Sequence, residues 1–272
     1  MTRTKTNALL AAAVIVIAGC AVAFAAADLN HQSAERQDRD ELYQVSLLAG
    51  LMSGDYYGHV TVAELKARGD TGLGTYDGLN GELIMLNGTV YQAKGDGTVS
   101  VADDNQTVPY ASVAFLDADR TESLGALDLA GLKDALNALV AAEGANQVYV
   151  VTVTGTFASV HVRSELAQTE PYKPLTEVLA TDQREFTYSD LSGTVVGLYC
   201  PDYLSNFDAV GWHFHFISSD GTQGGHLLDV SMTAGTVTMD RQAGIEQYLP
   251  NTDYFNSLDL VADAKDVDGI EH

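Results

Sequence analysis

The sequence has few cysteines, which limits how its fold can be held together. Cys20 and Cys200 are the two cysteines among 272 residues. Cys20 lies in an apolar N-terminal segment that we interpret as an export signal, so processing would remove or lipidate it. In both of these outcomes Cys200 is left without a partner, which excludes an internal disulfide in the mature body. The stability of the folded body must therefore come from packing.

Basic residues are also scarce. The chain has 14 lysines and arginines against 37 aspartates and glutamates, and its formal net charge is −23. Such a surface repels phosphate backbones and anionic lipid head groups, which argues against nucleic acid as a partner. We interpret the acidic charge as a means of keeping an exported protein soluble. An acidic enzyme with an anionic substrate needs a basic residue inside its pocket, so the few arginines are informative.

An uninterrupted apolar run stands near the N-terminus, from Ala8 to Ala18, and two basic residues precede it. This pattern predicts an export signal over residues 1–27. Three outcomes are open: lipidation at Cys20, the last residue of a lipobox-like sequence; cleavage after Ala25 or Ala27, which would release the protein; or retention of the apolar stretch as a membrane anchor. Each outcome places the body outside the cytoplasm, either free or attached to the membrane. Residues 28–41 are polar and predict a tether.

The remaining sequence predicts a globular body. Apolar residues make up 46% of the chain, and their spacing is regular. We expect an α+β protein rich in β-structure, with two lobes built on mixed or antiparallel sheets, a few helices, and an active site between the lobes. Prolines between Thr169 and Leu175 interrupt regular structure, so the predicted lobes are residues 42–168 and 169–272.

Local signals predict several elements. Asn87 and Gly88 tolerate positive φ, which indicates a hairpin between two strand-like runs. Apolar residues recur at helical spacing from Leu129 to Val140. The hairpin strands are predicted at 82–86 and 89–93; other predicted elements are a strand at 43–47, a helix capped by Thr61 and Glu64 that ends at Arg68, strands at 98–102 and 109–116, strands at 148–153 and 156–162 joined at Gly155, and a helix at 175–181.

Three histidines carry the clearest chemical signal. Residues 211–216 read Gly-Trp-His-Phe-His-Phe, and because side chains alternate across a strand, His213 and His215 share one face. A polar turn then returns the chain, and His226 begins a strand that can lie opposite this pair. Three imidazoles around one point predict a catalytic zinc site, in which water or substrate takes the open positions. A histidine pair alone would be a weak signal for a metal site. Three other histidines, His31, His59 and His272, are predicted to be solvated.

Two further positions are candidates for binding and catalysis. His161 and Arg163 share one face of a predicted strand, and an arginine fork there could grip a carboxylate in two places. The alternative for this pair is an exposed sheet edge. Glu82 begins the first hairpin strand, and the alternative for it is an ordinary surface carboxylate.

These segments together resemble the acetolactate decarboxylases. The resemblance extends from Tyr43 to the C-terminus, and several stretches in a shared order and spacing carry it. These stretches are Gly72–Gln92, Pro109–Ala111, Pro171–Leu175, Gly193–Gly197 and Gly211–Asp229. The last stretch is the most specific because it contains all three candidate metal ligands.

The resemblance implies a lyase that removes carbon dioxide from 2-acetolactate, a 2-hydroxy-3-keto acid, and releases acetoin. It implies Zn²⁺ held by the three histidines, an essential arginine at Arg163, and glutamates at Glu82 and Glu271. The adjacent hydroxyl and ketone oxygens of the substrate can chelate one zinc ion, which then acts as a Lewis acid. Arg163 would orient the carboxylate, and the two glutamates would manage protons. A homodimer is also implied.

Two other functions compete with this one. A cupin-type metal enzyme is suggested by the His-x-His pair followed by Asp220, although such a motif expects a further histidine downstream, and none lies between His226 and His272. A non-catalytic, lipid-tethered binding protein is suggested by the lipobox-like sequence and the acidic body. An assay for acetoin distinguishes a decarboxylase from the cupin-type enzyme, and metal analysis distinguishes it from the binding protein.

Overall fold

The structure, a computed structural model, describes residues 39–260. The predicted export signal with Cys20, most of the predicted tether, and the predicted catalytic residue Glu271 lie outside the described residues. His31 and His272 lie outside them as well. Between residues 39 and 260, no helix has both the length and the apolar character needed to cross a membrane.

Fifteen strands and five α-helices make up the described part of the chain. The helices are α1 (Leu48–Met52), α2 (Val62–Lys66), α3 (Leu129–Glu143), α4 (Leu175–Asp182) and α5 (Asp253–Ser257), with short 3-10 helices at Asp77–Leu79 and Asp202–Leu204. The strands are β1 (Glu41–Val45), β2 (Val60–Thr61), β3 (Thr71–Thr75), β4 (Glu82–Leu86), β5 (Thr89–Ala93), β6 (Val99–Val101), β7 (Thr107–Val108), β8 (Tyr110–Ala114), β9 (Arg120–Leu124), β10 (Leu127–Asp128), β11 (Val148–Glu165), β12 (Gln183–Cys200), β13 (Gly211–Ser218), β14 (Gly224–Gln242) and β15 (Gly244–Tyr248). The expected α+β class, rich in β-structure, is confirmed.

The first sheet has seven strands in the order β15-β1-β8-β3-β4-β5-β6. Its pairings are antiparallel except for the edge pair β1–β15, which is parallel. One buried cluster on this sheet includes Leu83, Met85 and Val113. Strands β2 and β7 form a separate two-stranded sheet.

The second sheet is built on three long strands, β11, β12 and β14. β11 pairs with β12 and with β14, β12 pairs with β13, and the first residues of β14 pair with β13, so the ring of pairings closes. Aromatic side chains fill its interior, where the rings of Phe157 and Phe216 meet edge to face with centroids 5.4 Å apart. Helix α3 covers this core with Leu132, Leu136 and Leu139.

The two sheets meet through an apolar contact that positions the functional residues. Ile84 of β4 and Ala93 of β5 pack with Val196 of β12 and Ile217 of β13 in one buried cluster. The backbone of β4 therefore lies against the strand that carries His213 and His215. The division into lobes at 42–168 and 169–272 stays a prediction. Along the chain, the strands up to β8 lie outside the second sheet, the strands from β9 to β14 form it, and β15 returns to the first sheet.

Local predictions hold where the signal is a turn or a cap. Asn87 and Gly88 have φ of 50° and 74° and join β4 to β5. Thr61 and Glu64 form the predicted capping box of α2, which ends at Lys66 rather than Arg68. Helices α3 and α4 and most of the predicted strands are also present.

The predicted break at Gly155 is wrong, because β11 continues through it as one strand of 18 residues. A Cβ on Gly155 would lie 2.3 Å from the carbonyl oxygen of Ala234 in β14. The glycine therefore permits a close approach between two strands and does not mark a turn. The strand predicted at 43–47 is displaced by two residues, since β1 is Glu41–Val45. Leu47 is the N-cap position of α1, a short helix that the pattern did not indicate.

Candidate metal centre

Strand alternation places two histidines on one face of β13. Trp212, Phe214 and Phe216 point into the core of the second sheet, so His213 and His215 point the other way, toward the first sheet. Both imidazoles are buried, with 4% and 1% of their residue surface exposed. The aromatic alternation that predicted this arrangement also anchors the strand.

The hairpin between β13 and β14 supplies the third histidine. His226 lies directly opposite His215 in the β13–β14 pairing and opposite Arg163 in the β11–β14 pairing. One ligand atom from each of His213, His215 and His226 can be chosen so that all three lie within 4.8 Å of one another. The Nε2 atom of His213 is 3.2 Å from the Nδ1 atom of His226. This convergence is the geometry that a three-histidine metal site requires.

Burial keeps two of these imidazoles in the form that binds metal. Burial lowers the pKa of His215 well below its ordinary value, and the neighbouring His213 lowers it further. The pKa of His226 is lowered well below its ordinary value by burial first and then by the charge of Arg163. His215 donates from Nδ1 to the carbonyl oxygen of Leu83 at 2.8 Å, which leaves the lone pair on Nε2. Neutral imidazoles with a free lone pair suit a metal ion.

Charged side chains border the histidines. Glu82, at the start of β4, is 7% exposed, and its Oε2 lies 3.3 Å from Nε2 of His215. Arg163, near the end of β11, is also 7% exposed. Its Nε lies 3.8 Å from Oε1 of Glu165, which is two residues further along the same strand. Two carboxylates and one guanidinium thus stand beside the three imidazoles.

These groups line one pocket between the two sheets. The polar wall consists of the three histidines with Glu82, Arg163 and Glu165, and the remaining lining residues are Leu51, Gly74, Thr75, Leu79, Tyr110, Leu175 and Leu179. Four leucines thus face the charged wall. A small substrate with one anionic end and apolar substituents fits such a pocket.

Comparison with known proteins assigns the family. The sequence profile of the alpha-acetolactate decarboxylases matches residues 42–262. The chain belongs to the alpha-acetolactate decarboxylase family. It is similar to the alpha-acetolactate decarboxylase of Methanosarcina mazei, with 37% identity over 220 residues, 80% of this chain and 75% of that protein. It is also similar to that of Lactococcus lactis subsp. cremoris, with 36% identity over 235 residues, 85% of this chain and 98% of that protein.

Solved structures agree with this assignment. The crystal structure of alpha-acetolactate decarboxylase from Bacillus subtilis strain 168 superposes with a TM-score of 0.78 and 31% sequence identity, covering 81% of this chain and 93% of that one. Membership of a family of decarboxylases, which are lyases, makes the chain an enzyme rather than a non-catalytic binding protein. It also favours a decarboxylase over the cupin-type enzyme.

The structure brings together most of the residues that the acetolactate decarboxylase resemblance named. The three histidines, Arg163 and Glu82 all line the pocket, and Glu271 lies outside the described residues. His161 does not line it, because its Nε2 lies 2.9 Å from Glu185 at the protein surface. His59 is not solvated as predicted: its Nε2 lies 3.0 Å from Asp55, and both side chains are buried.

Two carboxylates near the decarboxylase pocket were missed by sequence reasoning. Glu165 shares a strand face with Arg163 two residues earlier, so strand alternation could have indicated it. Asp208 precedes β13 in a segment without regular structure and is fully buried, with Oδ1 3.7 Å from Nδ1 of His213. No spacing rule connects a residue in such a segment to a histidine on the next strand.

Proposed function

We propose that this chain is a zinc-dependent acetolactate decarboxylase, which converts 2-acetolactate to acetoin and carbon dioxide. The observation that carries the proposal is the convergence of His213, His215 and His226 in a pocket that also contains an arginine. The printed function of the relatives, alpha-acetolactate decarboxylase, supports the substrate. Three imidazoles suit Zn²⁺, and they also suit other first-row metals, so the metal is part of what must be tested.

Each part of the pocket has a role in this reaction. A bound metal ion would act as a Lewis acid toward the adjacent hydroxyl and ketone oxygens of the substrate. The guanidinium of Arg163 binds the substrate carboxylate by charge-assisted hydrogen bonds and orients the carbon–carbon bond that breaks. Glu165, 3.8 Å from Arg163, restricts where that guanidinium can point. The leucines of the pocket hold the methyl groups of the substrate and exclude water.

The reaction replaces a carboxyl group with a proton, so it needs a group that holds one. Glu82 is buried beside His215, where its carboxyl group can hold or transfer a proton at the reacting carbon. Glu271 is proposed to share this task. Because the donor approaches from one wall of the pocket, we expect the new carbon–hydrogen bond to form on one face.

Metal analysis and a product assay together test the proposal. We expect purified protein to contain about one zinc ion per chain, held by the three-histidine site within residues 39–260, and to produce acetoin from racemic acetolactate. Alanine in place of His213, His215 or His226 should abolish both metal retention and turnover. Alanine in place of His161, which lies outside the pocket, is the matched control and should change neither. A folded protein that holds no transition metal and is insensitive to chelators would contradict the proposal.

Export is a second proposal, supported by the N-terminal pattern alone. The body is proposed to lie outside the cytoplasm, either released or tethered through the N-terminus. Mass spectrometry of the mature N-terminus distinguishes a lipidated Cys20 from cleavage after Ala25 or Ala27, and an intact Met1 on a cytoplasmic protein would contradict export. The homodimer stays a prediction, which the molar mass in solution would test.

A further inference from the structure

A buried chain of polar side chains leads from the first sheet to His213. Gln44 of β1 and Ser112 of β8 are opposite one another in the β1–β8 pairing. Their side chains are hydrogen bonded, and Ser112 Oγ also lies 2.7 Å from Oδ2 of Asp208. Oδ1 of Asp208 in turn lies 3.7 Å from Nδ1 of His213. The chain therefore connects β1, β8, the segment before β13, and β13 itself.

Hydrogen bonds around Ser112 hold Asp208 in place. The hydroxyl of Ser112 donates to Oδ2 of Asp208. The other side-chain partner of Ser112 Oγ is Oε1 of Gln44. Asp208 accepts a further hydrogen bond from the backbone N–H of Ala209 at 2.7 Å.

The position of Asp208 suits a carboxylate that orients a metal ligand. Asp208 is 0% exposed, and a buried carboxylate is costly unless a positive charge compensates it. On the opposite side of the same imidazole, Nε2 of His213 points toward His226 and the converging ligand atoms. A proton on Nδ1, facing Asp208, leaves the Nε2 lone pair for the metal. Carboxylates in this position fix the tautomer and ring orientation of a ligand and raise its basicity.

His213 and His215 differ in the group that lies next to Nδ1. His215 donates from Nδ1 to the backbone carbonyl of Leu83, which carries no net charge. Asp208 brings a full negative charge toward His213. An effect of the carboxylate on the metal should therefore act through His213.

We infer that Asp208 is the positioning residue for His213 and strengthens metal binding at the three-histidine centre. This inference rests on the proposed function, because it requires that the centre binds a metal ion. Asp208 is not assigned a contact with substrate. Ser112 and Gln44 hold the carboxylate in place from the first sheet.

The test measures the zinc dissociation constant of metal-stripped protein by competition with a chromophoric chelator. Asp208→Asn keeps the shape of the side chain and removes its charge, and we expect zinc binding to weaken about 10-fold to 100-fold. Ser112→Ala keeps the carboxylate and removes its donor, so a smaller weakening is expected. The visible spectrum of the Co²⁺-substituted protein should also change in Asp208→Asn, since the ligand field of His213 changes.

The matched control is Asp55→Asn. Asp55 is also a buried aspartate beside a histidine, with Oδ2 3.0 Å from Nε2 of His59, and it does not line the pocket. Its zinc affinity and cobalt spectrum should equal those of wild type. A purely structural role for Asp208 would lower thermal stability without changing either readout.

The possible results separate this inference from the proposed function. If wild type binds no zinc, the proposed metal centre is wrong and this inference is overturned with it. If wild type binds zinc and folded Asp208→Asn binds it equally within twofold, this inference alone is overturned. If Asp208→Asn does not fold, Ser112→Ala decides: weaker zinc binding supports the inference, and unchanged binding overturns it.

Discussion

Arg163 is the cation that the pocket offers to an anionic substrate. We predict that Arg163→Ala retains zinc but loses about 100-fold or more in kcat/KM, because the carboxylate is no longer oriented. Arg163→Lys keeps the charge without the planar fork, so it should lie between alanine and wild type. Metal content and acetoin production measure the two effects separately. Arg120→Ala, an arginine that pairs with Glu122 outside the pocket, serves as control, and full activity in Arg163→Ala would remove the arginine from the mechanism.

At the residue scale, sequence patterns predicted the parts of the site that lie on regular strands. His213 and His215 could be placed on one face because a strand alternates strictly. Arg163 was identified by the same rule, which would also have reached Glu165. Asp208 could not be predicted, since its segment has no periodicity and its partner, Ser112, lies 96 residues earlier. Only the tertiary structure brings these two side chains together.

Asp240 of β14 makes the folding stability of the protein depend on pH. Burial, with the nearby Asp119 and Asp40, raises the pKa of Asp240 to about 7. Between pH 3.8, the ordinary pKa of an aspartate, and about pH 7, Asp240 keeps a proton in the folded state that it releases in the unfolded state. The stability that Asp240 contributes is therefore fully present at low pH and is lost as the pH rises through this range. Asp240→Asn removes this loss.

We predict that Asp240→Asn is more stable than wild type at pH 8, with a midpoint of thermal unfolding at least about 2 °C higher, and that the difference disappears near pH 4. Thermal unfolding followed by circular dichroism at both pH values measures it. Asp134→Asn, at an exposed position of α3, should show no such dependence on pH. An Asp240→Asn protein less stable than wild type at pH 8 would show that the carboxylate contributes more through its hydrogen bonds than its charge costs.

At the element scale, local chemistry predicted hairpins and helices better than it predicted strand partners. Asn87 and Gly88 indicate their turn because only certain residues accept positive φ. The prediction at Gly155 was wrong for a physical reason. A glycine between two strand-like runs can mark either a turn or a close approach between strands, and the neighbouring residues do not distinguish the two. The parallel pairing of β15 with β1 joins residues about two hundred positions apart, and no local pattern encodes it.

Gly225 sets the position of the strand that carries His226. Its φ is +150°, and a Cβ there would lie 2.5 Å from the carbonyl oxygen of Arg163 in β11. We predict that Gly225→Ala separates the start of β14 from β11, weakens zinc binding at least tenfold by displacing His226, and costs about 1–3 kcal/mol of stability. Zinc competition and chemical denaturation measure the two effects.

The matched control is Gly125→Ala, a glycine between β9 and β10. A Cβ at Gly125 meets nothing within 4 Å, and its φ lies outside the positive range. Both zinc affinity and stability should therefore stay close to the wild-type values. Unchanged zinc affinity in Gly225→Ala would show that β14 tolerates the shift without moving its histidine.

At the scale of the whole molecule, the candidate centre lies where the two sheets meet. His213 and His215 come from β13 and His226 from β14, while His215 is hydrogen bonded to the backbone of β4 in the first sheet. The sequence predicted an active site between two β-rich parts, but which strands would face each other depends on the apolar contact of Ile84 with Ile217. A metal ion bound here would therefore stabilise the contact between the sheets as well as the hairpin.

Removal of the metal should consequently lower the stability of the entire fold. A ligand present at about 100 times its dissociation constant stabilises the folded state by about 2.7 kcal/mol, so we predict that chelation lowers the midpoint of thermal unfolding of wild type by about 5–10 °C. Scanning calorimetry with and without chelator measures the shift, and readdition of Zn²⁺ should reverse it. His215→Ala should unfold at the same temperature under both conditions, since it holds no metal. If chelation empties the wild-type site without moving the midpoint, the metal does not connect the sheets, and its role is limited to the chemistry of the pocket.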